Sequence, residues 1–251
     1  MSTRNVCAKA IAAAALAGCT AIMAQHSAEP TADARAVVAS ADRSDADRKT
    51  DVRRRPEMML AFTGVKAGMR VLDLGAGAGY STELLARSVG PRGVVYAQNT
   101  QAMIDQFVKN RFDERAAKPA MKNVVKLVRA FEDPVPADVH DLDLVTQYFE
   151  YHDAPARGTD RAQMNRRAFE LLKPGGYYVI ADHSAKPGSG VADSKALHRI
   201  DEALVRQEVE AAGFKLVATA DFLRNPDDPR DAAPPRAKVR VDEFVLKFVK
   251  P

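Results

Sequence analysis

Cysteine is nearly absent from this 251-residue chain: Cys7 and Cys19 are the only two, and residues 20 to 251 hold none. Beyond residue 19 a cysteine nucleophile, a thiolate metal site and a disulfide are therefore excluded. Long apolar runs are missing too. The run from Ala10 to Ala17 is too short to span a bilayer as a helix. Neither sign of charge dominates: 37 Lys and Arg stand against 33 Asp and Glu, interspersed, for a net charge of +4. Arg53-Arg54-Arg55 is the single basic run. It reads as a solvated helix face, and no aromatic residues are interleaved for base stacking, so nucleic acid is not an expected partner. Apolar residues at 46% and charged residues at 28% are ordinary for a soluble globular protein. The length suits one α/β domain with a tail.

The first residues have the layout of a targeting segment, with Arg4 and Lys9 before the short apolar run. That run ends in Leu16-Ala17-Gly18-Cys19, which resembles the lipobox of bacterial lipoproteins. The resemblance implies cleavage before Cys19 and lipidation of its sulfur. A simple cleavable signal ending near Ala24 is the alternative. Thr20 stands where the lipoprotein pattern uses aspartate for inner-membrane retention, which implies the outer membrane, facing the periplasm. The expected organisation is a signal peptide at 1–18, a flexible tether rich in Ala, Ser, Asp, Thr and Glu at 19–44, and one domain at 45–251.

From residue 45 strands and helices alternate. A helix broken near Pro56 should bury Met58, Met59 and Phe62. Expected strands are "MRVLDL", "GVVYAQN", "NVVKLV", "DLDLVTQYF" and the strand after "KPGG". Expected helices run over 81–88, 101–114 and 156–172, with one long helix in "SKALHRIDEALVRQEVEAAGF" carrying Leu197, Ile200, Leu204 and Val209 at helical spacing. Alternation of this kind predicts a parallel sheet covered on both faces. The last two runs, "KLVATADFL" and "VDEFVLKFV", have no helix between them and should pair antiparallel at an edge.

The stretch "VLDLGAGAGYS" is a strand running into a glycine loop and then a helix. Gly75, Gly77 and Gly79 allow positive φ and close approach of a ligand to the backbone, and the helix start adds its positive end. A dinucleotide fingerprint needs its last glycine one residue later, where Tyr80 stands, so the spacing is wrong for NAD.

"VLDLGAGAGYSTELLA", "LLKPGGYYVIADH" and "AGFKL", in that order and spacing, resemble the class I S-adenosylmethionine-dependent methyltransferases over residues 50–250. "YHD", "DRAQMNRRAFELLKPGG", "ADH" and "HRIDE" resemble more narrowly a family of predicted bacterial methyltransferases that carry export signals. The resemblance implies a doubly wound, Rossmann-like α/β sheet of seven mostly parallel strands in the order 3-2-1-4-5-7-6. It implies S-adenosyl-L-methionine as cofactor, with Asp73, Gly75, Gly77 and Gly79 on its methionine part. Phe131 and Glu132-Asp133 would lie beside adenine and Gln147 beside the sulfonium. Where the family has an acid for the ribose hydroxyls, this chain has Gln98 and Asn99, so a charge-assisted hydrogen bond is lost.

Methyl transfer needs mainly alignment, worth about 7–11 kcal/mol in favourable cases, plus a base where the nucleophile carries a proton. His152, with Asp153, and His183 after Asp182 lie at the carboxyl ends of strands and are the candidate bases. Tyr148 and Tyr151 could shape the acceptor pocket. Asp153, Asp182, His183, His198 and Asp201 contain metal-ligand types but no closed metal signature, and no metal is expected. The leading expectation is an enzyme that methylates a small molecule or a cell-envelope component, touching the membrane through its N-terminal lipid only. The alternative is an exported protein of the same fold that binds a ligand without turnover. Export favours the second, since S-adenosylmethionine is made in the cytoplasm. The glycine loop favours the first.

Overall fold

The computed structural model describes residues 29–251 and the backbone of Ala24–Gln25. Cys7, Cys19 and the lipobox lie outside the described residues. Seven strands form the sheet: β1 (Arg70–Leu74), β2 (Val94–Asn99), β3 (Val124–Val128), β4 (Leu142–Tyr148), β5 (Leu172–His183), β6 (Lys215–Ala220) and β7 (Glu243–Val249). Their spatial order is 3-2-1-4-5-7-6. All neighbours are parallel except β7, which runs antiparallel to both β5 and β6. The two-residue segment Ala24–Gln25 pairs in parallel with the outer edge of β6. The expected architecture is thus present.

The central strands are continuous apolar runs because helices cover both faces. Val71, Leu72, Leu74, Leu144, Val145, Tyr178, Ile180, Phe244 and Leu246 are essentially inaccessible. Each such side chain contributes about 1.5–3 kcal/mol of burial. Among the described residues no helix is long and apolar enough to cross a membrane.

Four local expectations need correction. The domain begins earlier than residue 45: α1 (Ala32–Val38) buries Ala34 and Val38, and the guanidinium of Arg43 donates to Asp51 at 2.6 and 2.7 Å. Apolar spacing too sparse to stand out in an Ala- and Ser-rich stretch hid this helix. Next come α2 (Asp45–Arg54) and α3 (Pro56–Thr63), broken at Pro56 as expected, though α3 buries Leu60 rather than Met58 beside Met59 and Phe62. The run after β2 is α5 (Gln101–Met103), a π turn over Ile104–Val108 and α6 (Arg111–Ala116), not one helix. The long helix is split into α8 (Ser194–Leu197) and α9 (Glu202–Ala211). His198 takes φ +50°, Ile200 pairs with Ser184, and Asp201 caps α9 by accepting from the Ala203 amide at 3.0 Å. Asp201 is therefore a capping residue. Between β1 and β2 lies α4 (Tyr80–Val89), and α7 (Arg161–Leu171) precedes β5, starting later than residue 156 because Asp160 is its cap.

Candidate functional site

The carboxyl ends of β1 to β5 carry nearly every residue singled out in the sequence. In an open α/β sheet this edge is where ligands bind.

The glycine loop is held from behind. Gly75, Gly77 and Gly79 all have positive φ. The Gly75 amide donates to Gln98 Oε1 (3.0 Å), and the Gly77 amide donates to Asn99 Oδ1 (2.8 Å). The two side chains donate in turn to the carbonyls of Arg129 (2.6 Å) and Gly77 (3.0 Å). Both amides are buried and spent on the loop. This corrects their expected position on a ribose: they are the loop's scaffold. Asp73 is likewise interior. Its carboxylate accepts from Thr82 Oγ1 (2.6 Å) and Thr146 Oγ1 (3.0 Å), and burial pushes its pKa up to about 6 against those two bonds. It ties β1 to α4 and β4 rather than facing a ligand.

Two clefts flank the loop. One, beyond β2 and β3, is lined by Thr100, Ala102, Phe131, Glu132, Arg157 and Thr159. Glu132 accepts there from the Asp160 amide at 2.8 Å. The other is apolar and lies where α3 meets the start of α4, with Met59, Leu60, Tyr80, Ser81, Tyr148 and Phe149 in its wall. A Cβ added at Gly77 would meet nothing within 4 Å, so the loop is open at that residue. A Cβ on Gly75 would instead lie 2.8 Å from Glu150 Cγ, so Glu150 roofs that glycine. The first amides of α4 precede its first helical bond, which Glu83 makes to the Gly79 carbonyl, and they give the apolar cleft a positive end.

Strand parity moves Gln147 away from this edge. It points to the opposite face of β4, where its amide lies 3.6 Å from Met164 Sδ and accepts from the Tyr178 hydroxyl. Tyr148 takes the place expected of Gln147. Tyr151, too, turns into the packing under α7 and α9, donating to Glu208 at 2.7 Å.

The β4–β5 end is charged. His152 is buried, donates its backbone amide and Nδ1–H to Asp182 (2.8 and 2.6 Å), and sets Nε2 3.2 Å from Asp153 Oδ1. Burial opposes its charge, yet Asp182 and Asp153 win and raise its pKa to about 10. An imidazolium with a carboxylate at each nitrogen has no lone pair to take a proton, so His152 is not the general base expected from the sequence. His183 is the reverse case. It is 6% exposed, and burial, reinforced by His152, Arg54 and Arg53 against Asp182, lowers its pKa well below the ordinary value. Its neutral ring lies 5.1 Å from the Phe149 ring. Asp153 also accepts from Arg157 (2.7 Å) and meets His198 Nδ1 (2.7 Å), and Arg157 reaches back to Glu150.

Sequence reasoning missed Arg54, Glu150, Arg157 and Glu243. The Arg53-Arg54-Arg55 run is not simply solvated. Arg53 pairs with Glu243 (3.0 Å), and the Arg54 guanidinium lies 3.4 Å over the Phe149 ring, its pKa lowered to about 9 by burial and by Arg53. Phe149 holds this position through φ +61°, which no sequence signal marks. Four buried polar atoms here lack a hydrogen-bond partner: Arg54 Nε, the Tyr148 hydroxyl, His183 Nδ1 and Glu243 Oε2. His183 Nδ1 is 3.0 Å from the other Glu243 oxygen but lies off the hydrogen-bonding direction.

Comparison with known proteins fits this edge. The family described as "Methyltransferase domain" matches residues 65–219. The ubiquinone/menaquinone biosynthesis C-methyltransferase UbiE of Idiomarina loihiensis is 34% identical over 128 residues, 51% of this chain and 47% of its own length. The Yersinia pestis protein of the same name is 29% identical over 155 residues, 59% and 58% of the two chains. The chain thus spans about half the length of these curated relatives. Among solved structures, a SAM-dependent methyltransferase from Aquifex aeolicus superposes with a TM-score of 0.58 at 23% identity, covering 82% of this chain and 97% of that one. The Aeropyrum pernix fibrillarin solved with bound S-adenosyl-L-methionine has a TM-score of 0.50 at 17% identity, covering 74% and 68%. Those two likenesses concern the fold alone. The family match spans more than half of the chain and includes the glycine loop, β4 and β5, so this protein belongs to the methyltransferase domain family.

Proposed function

We propose that the protein is an S-adenosylmethionine-dependent methyltransferase whose acceptor is a small molecule or cell-envelope component with an apolar body and one polar group. The observation that carries this reading is the glycine loop at the carboxyl end of β1, open at Gly77, with one cleft at Phe131 and Glu132 and another at Tyr80 and Ser81. Their linings fit the two ends of such a cofactor: Phe131 and Glu132 beside a base, the open amides of α4 beside a carboxylate. When bound, the cofactor supplies a methyl group on a sulfonium. The remaining work falls to the chain. Met59, Leu60 and Phe149 exclude water and orient the acceptor body. Arg54, Tyr148, His183 and Glu243, with their unpartnered polar atoms, seat its polar group. Neutral His183 holds a nitrogen lone pair that can take a proton from a hydroxyl or amine, whereas His152 cannot.

The test is calorimetric titration of S-adenosylmethionine into the full chain beside Gly77→Ala. Micromolar binding in the first and at least 100-fold weaker binding in the second supports the reading. No binding at millimolar cofactor would sink it. The second reading, binding without turnover, draws on the missing carboxylate at the end of β2. Conversion of the bound cofactor to S-adenosylhomocysteine when a membrane extract is added separates the two.

The location belongs to the same proposal: lipidation at Cys19 and residence on the periplasmic side of the outer membrane, supported by Leu16-Ala17-Gly18-Cys19 followed by Thr20. Cys19→Ala should move the protein from the membrane to the soluble fraction. Retention in the membrane would show that acylation is the wrong idea.

A further inference from the structure

We infer that His152 Nε2, Asp153 Oδ1 and His198 form a site for one divalent cation of the zinc type, at the carboxyl end of β4 and open to solvent. The inference does not depend on the proposed methyl transfer.

One donor atom from each of the three residues lies within 4.8 Å of the others. His152 Nε2 is 3.2 Å and His198 Nδ1 2.7 Å from the same Asp153 oxygen. Ligands about 2.0–2.1 Å from a tetrahedral ion stand roughly 3.3 Å apart, so small shifts admit one. Two imidazoles and one carboxylate suit zinc or a neighbouring first-row ion and not magnesium.

The surroundings are those of a ligand set rather than of a chance ion pair. Asp182, on the far side of His152, accepts from Nδ1 at 2.6 Å and so leaves Nε2 as the nitrogen facing Asp153. A carboxylate behind a ligating histidine is the usual way its ring is oriented and its basicity raised. Asp153 is oriented independently, because Arg157 takes its Oδ2 at 2.7 Å and leaves Oδ1 to the two imidazoles. His198 stands edge-on to His152, ring centres 5.6 Å apart, and its side chain is 49% exposed, which leaves a position for water or an oxygen ligand. Charge points the same way. In the bonded set around His152, three carboxylates (Asp153, Asp182 and Glu150) face one guanidinium, Arg157. The excess of carboxylates favours a cation among them. Buried His183, with its unpartnered Nδ1, joins His152 and Asp182 in a second group of donors on the inner side of the same ring.

The full chain, stripped with EDTA, is titrated with Zn²⁺ alone by calorimetry, and with Co²⁺ by visible absorption. The expected result is one ion per chain and binding at least tenfold weaker in both Asp153→Asn and His198→Ala. His198 is half exposed, so its replacement leaves the fold intact, and Zn²⁺ should raise Tm in the wild type but not in that variant. Absence of uptake overturns the inference. Uptake of the same strength in His198→Ala also overturns it, because the ion would then sit elsewhere.

Discussion

The carboxyl edge of the sheet is built in two ways. On the β1–β2 side, mostly neutral groups hold the strand ends and the loop: two side-chain amides, two threonine hydroxyls and three glycines, with Asp73 interior and Arg115 donating to the Ala78 carbonyl at 3.0 Å. On the β4–β5 side the same few ångströms contain His152, His183, Asp153, Asp182 and Glu243, with arginines arriving from α2 and from the turn before α7. Neutral bonds fix a backbone shape at little desolvation cost. Buried ions cost much more to keep, each stable only while its partner is present. One half is thus made to present a surface, the other to hold charge.

Breaking the charged half should have the largest effect. Asp182→Asn keeps the volume but leaves the His152 ring and two backbone amides without their carboxylate, and should destabilise the protein by about 3–5 kcal/mol in denaturant unfolding. Gly75→Ala tests the neutral half. A side chain at φ +75° costs about 1–2 kcal/mol, and the contact with Glu150 adds to it. Binding of S-adenosylmethionine should fall with stability. Gln98→Glu separates scaffold from ligand contact. If the amide is scaffold, restoring an acid loses the bond to the Arg129 carbonyl and costs about 1–3 kcal/mol, and cofactor affinity falls. A rise in affinity would mean that the residue faces ribose after all.

The pH profile sharpens the contrast further. The Asp73 carboxyl, at about 6 in the fold against 3.8 outside it, makes its stability contribution in acid and loses it as pH rises from about 4 to 6. Asp73→Asn should flatten that part of the profile. The smallest effect is expected from Tyr148→Phe: its hydroxyl has no partner, so stability should change by less than about 0.5 kcal/mol while turnover of a polar acceptor drops.

The neutral half was the more legible of the two from residue order, for a physical reason. Gly75, Gly77 and Gly79 lie within five residues, and a β-strand, glycine loop and helix in succession leave few alternatives. His152, Asp153 and His183 were visible as types at strand ends, yet their charge states were not, because these depend on Asp182 lying against His152 and Arg54 beside His183, pairings that only the fold makes. Gln147 shows a second limit: a strand changes face at every residue, and one step decided between Gln147 and Tyr148. Arg54 shows a third, since a basic triplet looks solvated until Phe149 is placed under it. The break at His198 left no trace either, because a non-glycine residue at positive φ has no compositional mark.

Glu150 roofs Gly75 and shares Arg157 with Asp153. Anything seated on the glycine loop must contend with that carboxylate, and moving it changes how much of Arg157 is left for Asp153. Thermodynamic reciprocity then makes the effect mutual: whatever engages Asp153 shifts the affinity of the loop by the same factor as loop occupancy shifts the affinity at Asp153. The two halves of the edge are in this sense one titration, read from either end.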